Sequence, residues 1–423
     1  MMTDSTNMLA REEVQKIIGN LTNDIMALLK NLVLVNSHSV NQEGVERMGR
    51  LMAEALPPVF KPIPRPEPDR SPIWAFEHKF QEIHPIMLVG HLDTVFPPGS
   101  FDGPLREDGS VLYGPGVADM KGGLAVMVGA LWVLERLGLL AEIPLLLAFN
   151  GDEETESVQT GAMLSSLAGR CRCGLVFECG GEEGAVVTSR RGVRRYHLAI
   201  KGEAGHSGLA SDEKQSALLE LAHQIIRLEA FNKPKLGVSV NVGLARGGTA
   251  VNVIPREAEA DLEIRFWDEE MGNASADRLM ASLASPLVNG LSYELTRTHA
   301  RPAMPKTDSI SVLYKKYKET AQKYALPFME ESRLGASDAN NLAALGLPVL
   351  DGLGPIGQGD HSPREMILKD SLFQRVELLV YLLWDMRTWQ PSIEHHEEKA
   401  FLDKSRKRLK RLKSKTAVVD TDH

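Results

Sequence analysis

IPLLLAFNGDEE, residues 143–154, is the stretch that decides the fold. From Ile143 to Phe149 nothing polar interrupts the run, which marks a buried strand rather than one alternating toward solvent. The run stops at Asn150 and Gly151, and Asp152, Glu153 and Glu154 follow at once. Outward from it, PIMLVG (Pro85–Gly90), CGLVF (Cys173–Phe177) and LPVLDGL (Leu347–Leu353) have the same character. Leu124–Leu137 is apolar all round at helical length, as expected of a helix enclosed by the core. Short apolar runs alternating with helical stretches mark an α/β domain, here expected as a mixed, mostly parallel sheet flanked by helices.

The 423 residues exceed what one hydrophobic core organises, so two domains are expected. Val14, Ile17, Ile18, Leu21, Ile25, Leu28 and Leu29 recur at near-helical spacing, and Gly44–Leu56 suits a second helix. The prolines from Pro57 to Pro68 cannot donate to a central ladder, which leaves loop or edge strand there. Between residues 190 and 304 the pattern changes to strands (Arg195–Lys201, Val238–Leu244, Glu257–Phe266) and two helical stretches (Asp212–Glu229, Glu269–Ala284), an inserted α+β domain. The expected organisation is a larger domain in two parts, residues 1–189 and 305–423, interrupted by a smaller one at 190–304. Near the end, KSRKRLKRLKSK (residues 404–415) reads as a solvated charged helix or tail, with a surface-docking basic helix as the alternative.

A net charge of −8 argues against a nucleic-acid partner. The apolar runs Ile143–Phe149 and Leu378–Trp384 are too short to span a bilayer, so no membrane role is expected. The opening MMTDSTNMLAREEVQ has no basic region leading into an apolar one. Cys171, Cys173 and Cys179 complete no zinc-knuckle pattern, and reduced thiols in a cytoplasm are expected.

Metal-competent side chains fall where the apolar runs end. His91 and Asp93 stand in GHLDT, after the first run. Asp119 follows the turn Gly114, Pro115, Gly116 and precedes Lys121, Gly122 and Gly123. Glu153 and Glu154 follow the second run, Glu178 the third, and His361 lies in GPIGQGDHS after the fourth. Each alone is explained as a turn or helix-cap residue. Two histidines and three carboxylates at one sheet edge, where α/β sheets bind ligands, are not. Without cations Asp119, Glu154 and Glu178 would repel, and one would take up a proton. Their three negative charges with a hydroxide's one balance two divalent ions. Imidazole and carboxylate ligands suit zinc, and also cobalt or manganese. Asp93, two residues from His91, is placed to hold its tautomer. Glu153, beside Glu154, can take a proton from an attacking water and hand it to a leaving amine; capping the next helix is the plainer alternative.

The blocks GHLDTVFPPG, GPGVADMKGG, FNGDEETES, FECG, GEAGHSG, GGTAVNVIP, EIRF, GASDANN and GDHSPRE occur in this order. Together they resemble the M20 metallopeptidases, with the glutamate carboxypeptidase branch nearest and aminoacylases, acetylornithine deacetylases and succinyl-diaminopimelate desuccinylases as cousins. The resemblance implies that His91 and Glu178 hold one ion, Glu154 and His361 the other, and that Asp119 bridges them. Glu153 would be the base and Asp93 the support of His91. It also implies a cis peptide bond after Asp119, and glutamate at position 178 fits carboxypeptidases and deacylases better than aminopeptidases. Residues 190–304 would be a lid through which the chain forms a homodimer, with His206 of AGHSG steadying the oxyanion in the partner's active site. Asn252 and Arg265 would hold the substrate's carboxylate, and the stretch from Gly335 to Ala339 would line the cleft. The implied activity is cleavage of an amide bond beside a free carboxylate, as in removal of a C-terminal glutamate from a peptide or an N-acyl amino acid. The alternatives are an N-acyl amino acid deacylase and, more remotely, a non-catalytic metal-binding scaffold. The opening lacks the leader of the family's secreted carboxypeptidases, which points to a cytoplasmic dipeptide or N-acyl amino acid.

Overall fold

Leu145–Asn150 is a strand with all six residues buried, and it lies inside a six-stranded sheet. The computed structural model describes residues 8–65, 72–78, 83–101, 105–181, 183–209, 214–284 and 286–391. In chain order the sheet contains β1 (Lys61–Ile63), β2 (Trp74–Glu77), β3 (Ile86–His91), β4 (Leu145–Asn150), β5 (Cys173–Val176) and β6 (Val349–Leu350). In space they run β1-β2-β4-β3-β5-β6. β3 pairs in parallel with β4 and β5, and β6 with β5, while β2 and β1 are antiparallel at one edge. Pro62 sits in β1, the outermost strand, where its missing N–H deprives no neighbour. The register aligns Ile86 with both Leu145 and Cys173, and His91 with Asn150. The residues that follow β3, β4 and β5 therefore emerge along one edge.

The helices Arg11–Leu34, Gly122–Arg136 and Lys369–Met386 pack on one another in a single hydrophobic core. Every residue from Gly122 to Leu131 is buried, in keeping with the all-round apolar sequence. Val117–Arg136 is long and apolar enough to cross a bilayer by composition, yet 89 % of that window lies inside the fold, as a core helix does. The N-terminus of this helix touches the chain just beyond β5. A Cβ at Gly123 would stand 1.9 Å from the Phe177 carbonyl oxygen, so only glycine permits the approach.

The chain divides into two compact units, one of residues 1–188, 306–332 and 337–423, the other of 189–305 and 333–336. The second unit is built on a four-stranded antiparallel sheet in the order Val238–Gly247, Glu257–Phe266, Gly192–Lys201, Ser292–Arg301. Ala258, Ala260, Leu262, Ile264 and Phe266 alternate inward and pack with the helices Ala217–Glu229 and Glu269–Leu283. Ser216 caps the first helix and Asp268 the second, each accepting a backbone N–H three residues on. The first helix is expected from Asp212 but begins at Ala217, after that cap.

Among the elements with no counterpart in the sequence reading are Trp74–Glu77, Gly161–Ala168, Ser292–Arg301, Asp308–Lys323 and Lys369–Met386. Ser292–Arg301 is an edge strand with mostly exposed or half-buried residues, so it carries no apolar run to find. Asp308–Lys323 buries only Ile310, Leu313, Tyr317, Thr320 and Ala321. The basic segment at residues 404–415 lies outside the described residues.

Gly123→Ala is expected to cost about 1–3 kcal/mol, because the obstructing atom is backbone and the helix must shift. Urea unfolding followed by circular dichroism measures this, and unchanged stability would contradict the close approach.

Candidate metal centre

The shared edge gathers imidazoles and carboxylates. His91 Nε2 lies 2.9 Å from Asp119 Oδ1 and 3.8 Å from Glu178 Oε1. His361 Nε2 lies 3.2 Å from Asp119 Oδ2 and 3.3 Å from Glu154 Oε2. Asp119 thus stands between the two rings with one oxygen toward each. His91, Asp119 and Glu154 each offer a ligand atom, all within 4.8 Å of one another.

Each of these side chains is held by a specific backbone feature. His91 Nδ1 donates to the main-chain oxygen of Asp93 at 2.9 Å, which turns Nε2 toward the cluster. The Asp93 carboxylate is farther away, at 3.5 Å. β3 ends at His91, so Asp93 does not share a strand face with it as the two-residue spacing implies. Instead this carboxylate accepts the N–H groups of Glu153 and Glu154 at 3.1 Å each and the Ser39 hydroxyl at 2.8 Å. Asp93 orients the ring through its carbonyl and the acidic loop through its side chain. The far side of that loop is fixed by Asp338, which accepts from Asn150 Nδ2 at 2.7 Å and from the Ser157 hydroxyl at 2.6 Å. Glu153 itself is buried.

Asp119 sits in a turn that begins at Gly116, whose φ of +74° lies in the left-handed region. The Asp119–Met120 peptide bond is cis, as the family resemblance implies. Lys121 is buried and donates to the Val35 carbonyl at 3.0 Å; burial lowers it to about 7, against the pull of Glu365. The Glu365 carboxylate accepts the N–H groups of Gly116, Ala118 and Asp119. The sequence reading assigns no role to Ser39, Ser157 or Glu365, takes Asn150 only as the end of a strand, and includes Asp338 only within the Gly335–Ala339 stretch. Their local signal is that Asn150 and Ser157 fall inside the block FNGDEETES, Asp338 inside GASDANN and Glu365 inside GDHSPRE; Ser39 lies in none of the blocks.

The electrostatics of the cluster call for positive charge. Burial pushes Glu178 well up and Glu154 up, and the Asp119 charge adds to both shifts. Burial also acts against ionised Asp119, but hydrogen bonds from His361 and His91 hold it well below the usual carboxylate range. Hydrogen bonds to Asp119 and Glu154 push His361 up to about 11. Burial opposes a charge on His91, yet Asp119, Asp93 and Glu178 raise it well above its ordinary value. Divalent cations fit this donor set of imidazoles and carboxylates, and they would do what the protons otherwise do. Thiols are not involved: the cysteines are buried, and burial pushes Cys173 up to about 12.

His206, Asn252, Arg265 and Gly335 lie in the second unit. His206 is exposed in a two-residue strand paired with Val253–Ile254, and its Nδ1 accepts the Gly208 N–H at 3.1 Å. Asn252 is exposed and its carbonyl accepts the Ser207 N–H at 3.0 Å. Arg265 is paired through Nε with Glu263, and its Nη1 donates to the Leu334 carbonyl at 2.9 Å. The Gly335 carbonyl accepts from Arg190 Nη1 at 3.0 Å.

The profile of Peptidase family M20/M25/M40 matches residues 87–385. Carboxypeptidase G2 of Pseudomonas sp. (strain RS-16) is 28 % identical over 310 residues, covering 71 % of this chain and 74 % of its own. A probable carboxypeptidase of Aspergillus terreus is 28 % identical over 288 residues, covering 62 % of this chain and 64 % of its own. Among solved structures, aminopeptidase PepT of Bacillus cereus superposes with a TM-score of 0.72 at 19 % identity, over 87 % of this chain and 98 % of that one. The M20 family metallo-carboxypeptidase Sso-CP2 of Sulfolobus solfataricus gives 0.63 at 15 % identity, over 85 % and 98 %. At these identities the structures bear on the fold alone.

Chelation of divalent ions is expected to lower the melting temperature, and zinc to restore it. An ion at 100 times its Kd adds about 2.7 kcal/mol. The effect shrinks as pH falls, because protons compete for His91 and His361. Scanning fluorimetry with and without chelator checks this; melting indifferent to zinc would deny the cluster a metal.

Proposed function

Since the chain belongs to peptidase family M20/M25/M40 and is a hydrolase of its carboxypeptidase-like branch, we propose that it is a dinuclear metallohydrolase cleaving an amide bond beside a free carboxylate. The substrates would be small peptides or N-acyl amino acids, with the C-terminal amino acid as the released amine. The observation that carries this reading is the position of Asp119 between His91 and His361, with Glu154 and Glu178 alongside. His91 and Glu178 would hold one ion, His361 and Glu154 the other, and Asp119 both. Zinc is the ion proposed, with cobalt or manganese able to use the same ligands. Ions bound there would polarise the amide carbonyl and make a water acidic near neutral pH.

The chain's own residues do the rest. Glu153, outside the ligand set, takes the proton of the attacking water and delivers it to the departing nitrogen. Its backbone is held for this by Asp93. Because Gly208 donates to His206 Nδ1, the neutral ring carries its proton on Nε2. Such a donor suits a developing oxyanion, and we assign it to the site of a partner copy, with the second unit as the dimerising lid. Arg265, its guanidinium steadied by Glu263 and the Leu334 carbonyl, would bind the substrate carboxylate with Asn252, and Gly335 would line the cleft. A cytoplasmic location belongs to the same reading, with all three cysteines buried. The deacylase reading uses the same chemistry and differs only in the acyl group accepted.

Glu153→Gln is expected to lower kcat about 100- to 10,000-fold while both ions stay bound. Metal analysis beside single-turnover rates tests it, and near-normal turnover with full metal content removes the role. A panel of dipeptides and N-acetyl or N-succinyl amino acids, each as free acid and as amide, should show turnover of the free acids only. Equal turnover of the amides would overturn the carboxylate requirement.

A further inference from the structure

Glu365 lies outside the ligand set, yet its fully buried carboxylate is committed to one turn of the backbone. Oε1 accepts from the Ala118 and Asp119 N–H groups and Oε2 from Gly116, each at 2.8 Å. A carboxylate so deep in the protein is costly unless its oxygens meet donors, and charge-assisted bonds to N–H groups are among the strong ones. All three donors belong to the turn that presents Asp119. The acceptor belongs to the loop that presents His361, four residues earlier in the chain.

That loop needs an anchor. His361 has φ +60°, a left-handed conformation that costs a non-glycine residue about 1–2 kcal/mol. Its side chain is 56 % exposed, so packing does not hold it. Within the loop, Ser362 N donates to the Gly359 carbonyl at 3.0 Å and Glu365 N to the Ser362 carbonyl at 3.1 Å, two successive turns that link His361 to Glu365. The Glu365 side chain then ties that segment to the Asp119 turn.

Resting on the dinuclear reading above, we propose that Glu365 is a positioning residue that sets the separation of Asp119 and His361, and with it the affinity and geometry of the ion these two would share. Both oxygens of Glu365 accept from the turn, so the role would be exerted through the backbone and not as a ligand.

Glu365→Gln keeps the shape but turns an NH2 group toward N–H donors that require an acceptor. In a cobalt titration of the metal-free full chain, the wild type is expected to take up two equivalents. In the variant one equivalent should bind about 10- to 100-fold more weakly, with a shifted visible cobalt spectrum. Leu372→Ala, a core change in the helix that follows, serves as the control for lost stability and should keep the wild-type affinity and spectrum. If Glu365→Gln does not fold, Glu365→Asp, charged but too short to span all three donors, carries the comparison with a smaller loss. Wild-type affinity and spectrum in a folded Glu365 variant, or an equal loss in Leu372→Ala, overturns the inference. A wild type that binds no second equivalent overturns the dinuclear reading, and this inference falls with it.

Discussion

One carboxylate shared between two imidazoles organises the larger unit. Asp119 faces His91 with one oxygen and His361 with the other, and these three residues come from separate segments of chain. The parallel register makes the meeting possible. β3, β4 and β5 begin level, so His91, the loop after Asn150 and Glu178 emerge together at their C-terminal ends. A one-residue slip would exchange the faces of every side chain in the shifted strand and scatter the set.

Acidity packed at such an edge is unstable in isolation. The raised Glu154 and Glu178, the lowered Asp119 and the raised His91 and His361 all express the same shortage of positive charge. Either protons on the imidazoles or divalent cations supply it, and only the cations also activate water. The shortage of positive charge in the bare cluster is thus the same feature that suits it to a cation.

Around this centre the interior is more polar than a hydrophobic core requires, and its buried acids meet donors. Asp93 bonds to two backbone N–H groups and a hydroxyl, Glu365 to three N–H groups, and Asp338 to Asn150 and Ser157. Buried carboxylates are tolerable when satisfied in this way. Their partners are loops, which apolar packing alone would leave loosely placed. The strands and the Gly122–Arg136 helix provide the rigid edge; the buried acids fix the loops that stand on it.

Much of this was legible in the chain. Ile143 to Phe149 announces a buried strand because strand burial is a local pattern of side chains, and the acids after it mark the strand's end. The same logic located His91, Glu178 and His361 beyond their apolar runs, and the blocks around them carried the family. The edge strand Ser292–Arg301 stayed hidden because its polar residues face solvent and leave no pattern. Tertiary structure alone decided which atoms meet: that Asp93 reaches Glu153 and Glu154 rather than mainly His91, and that Glu365 bonds to Asp119, 246 residues away. Periodicity and turn chemistry act over a few residues, whereas a hydrogen bond is settled by tenths of an ångström between segments that only the folded chain brings together.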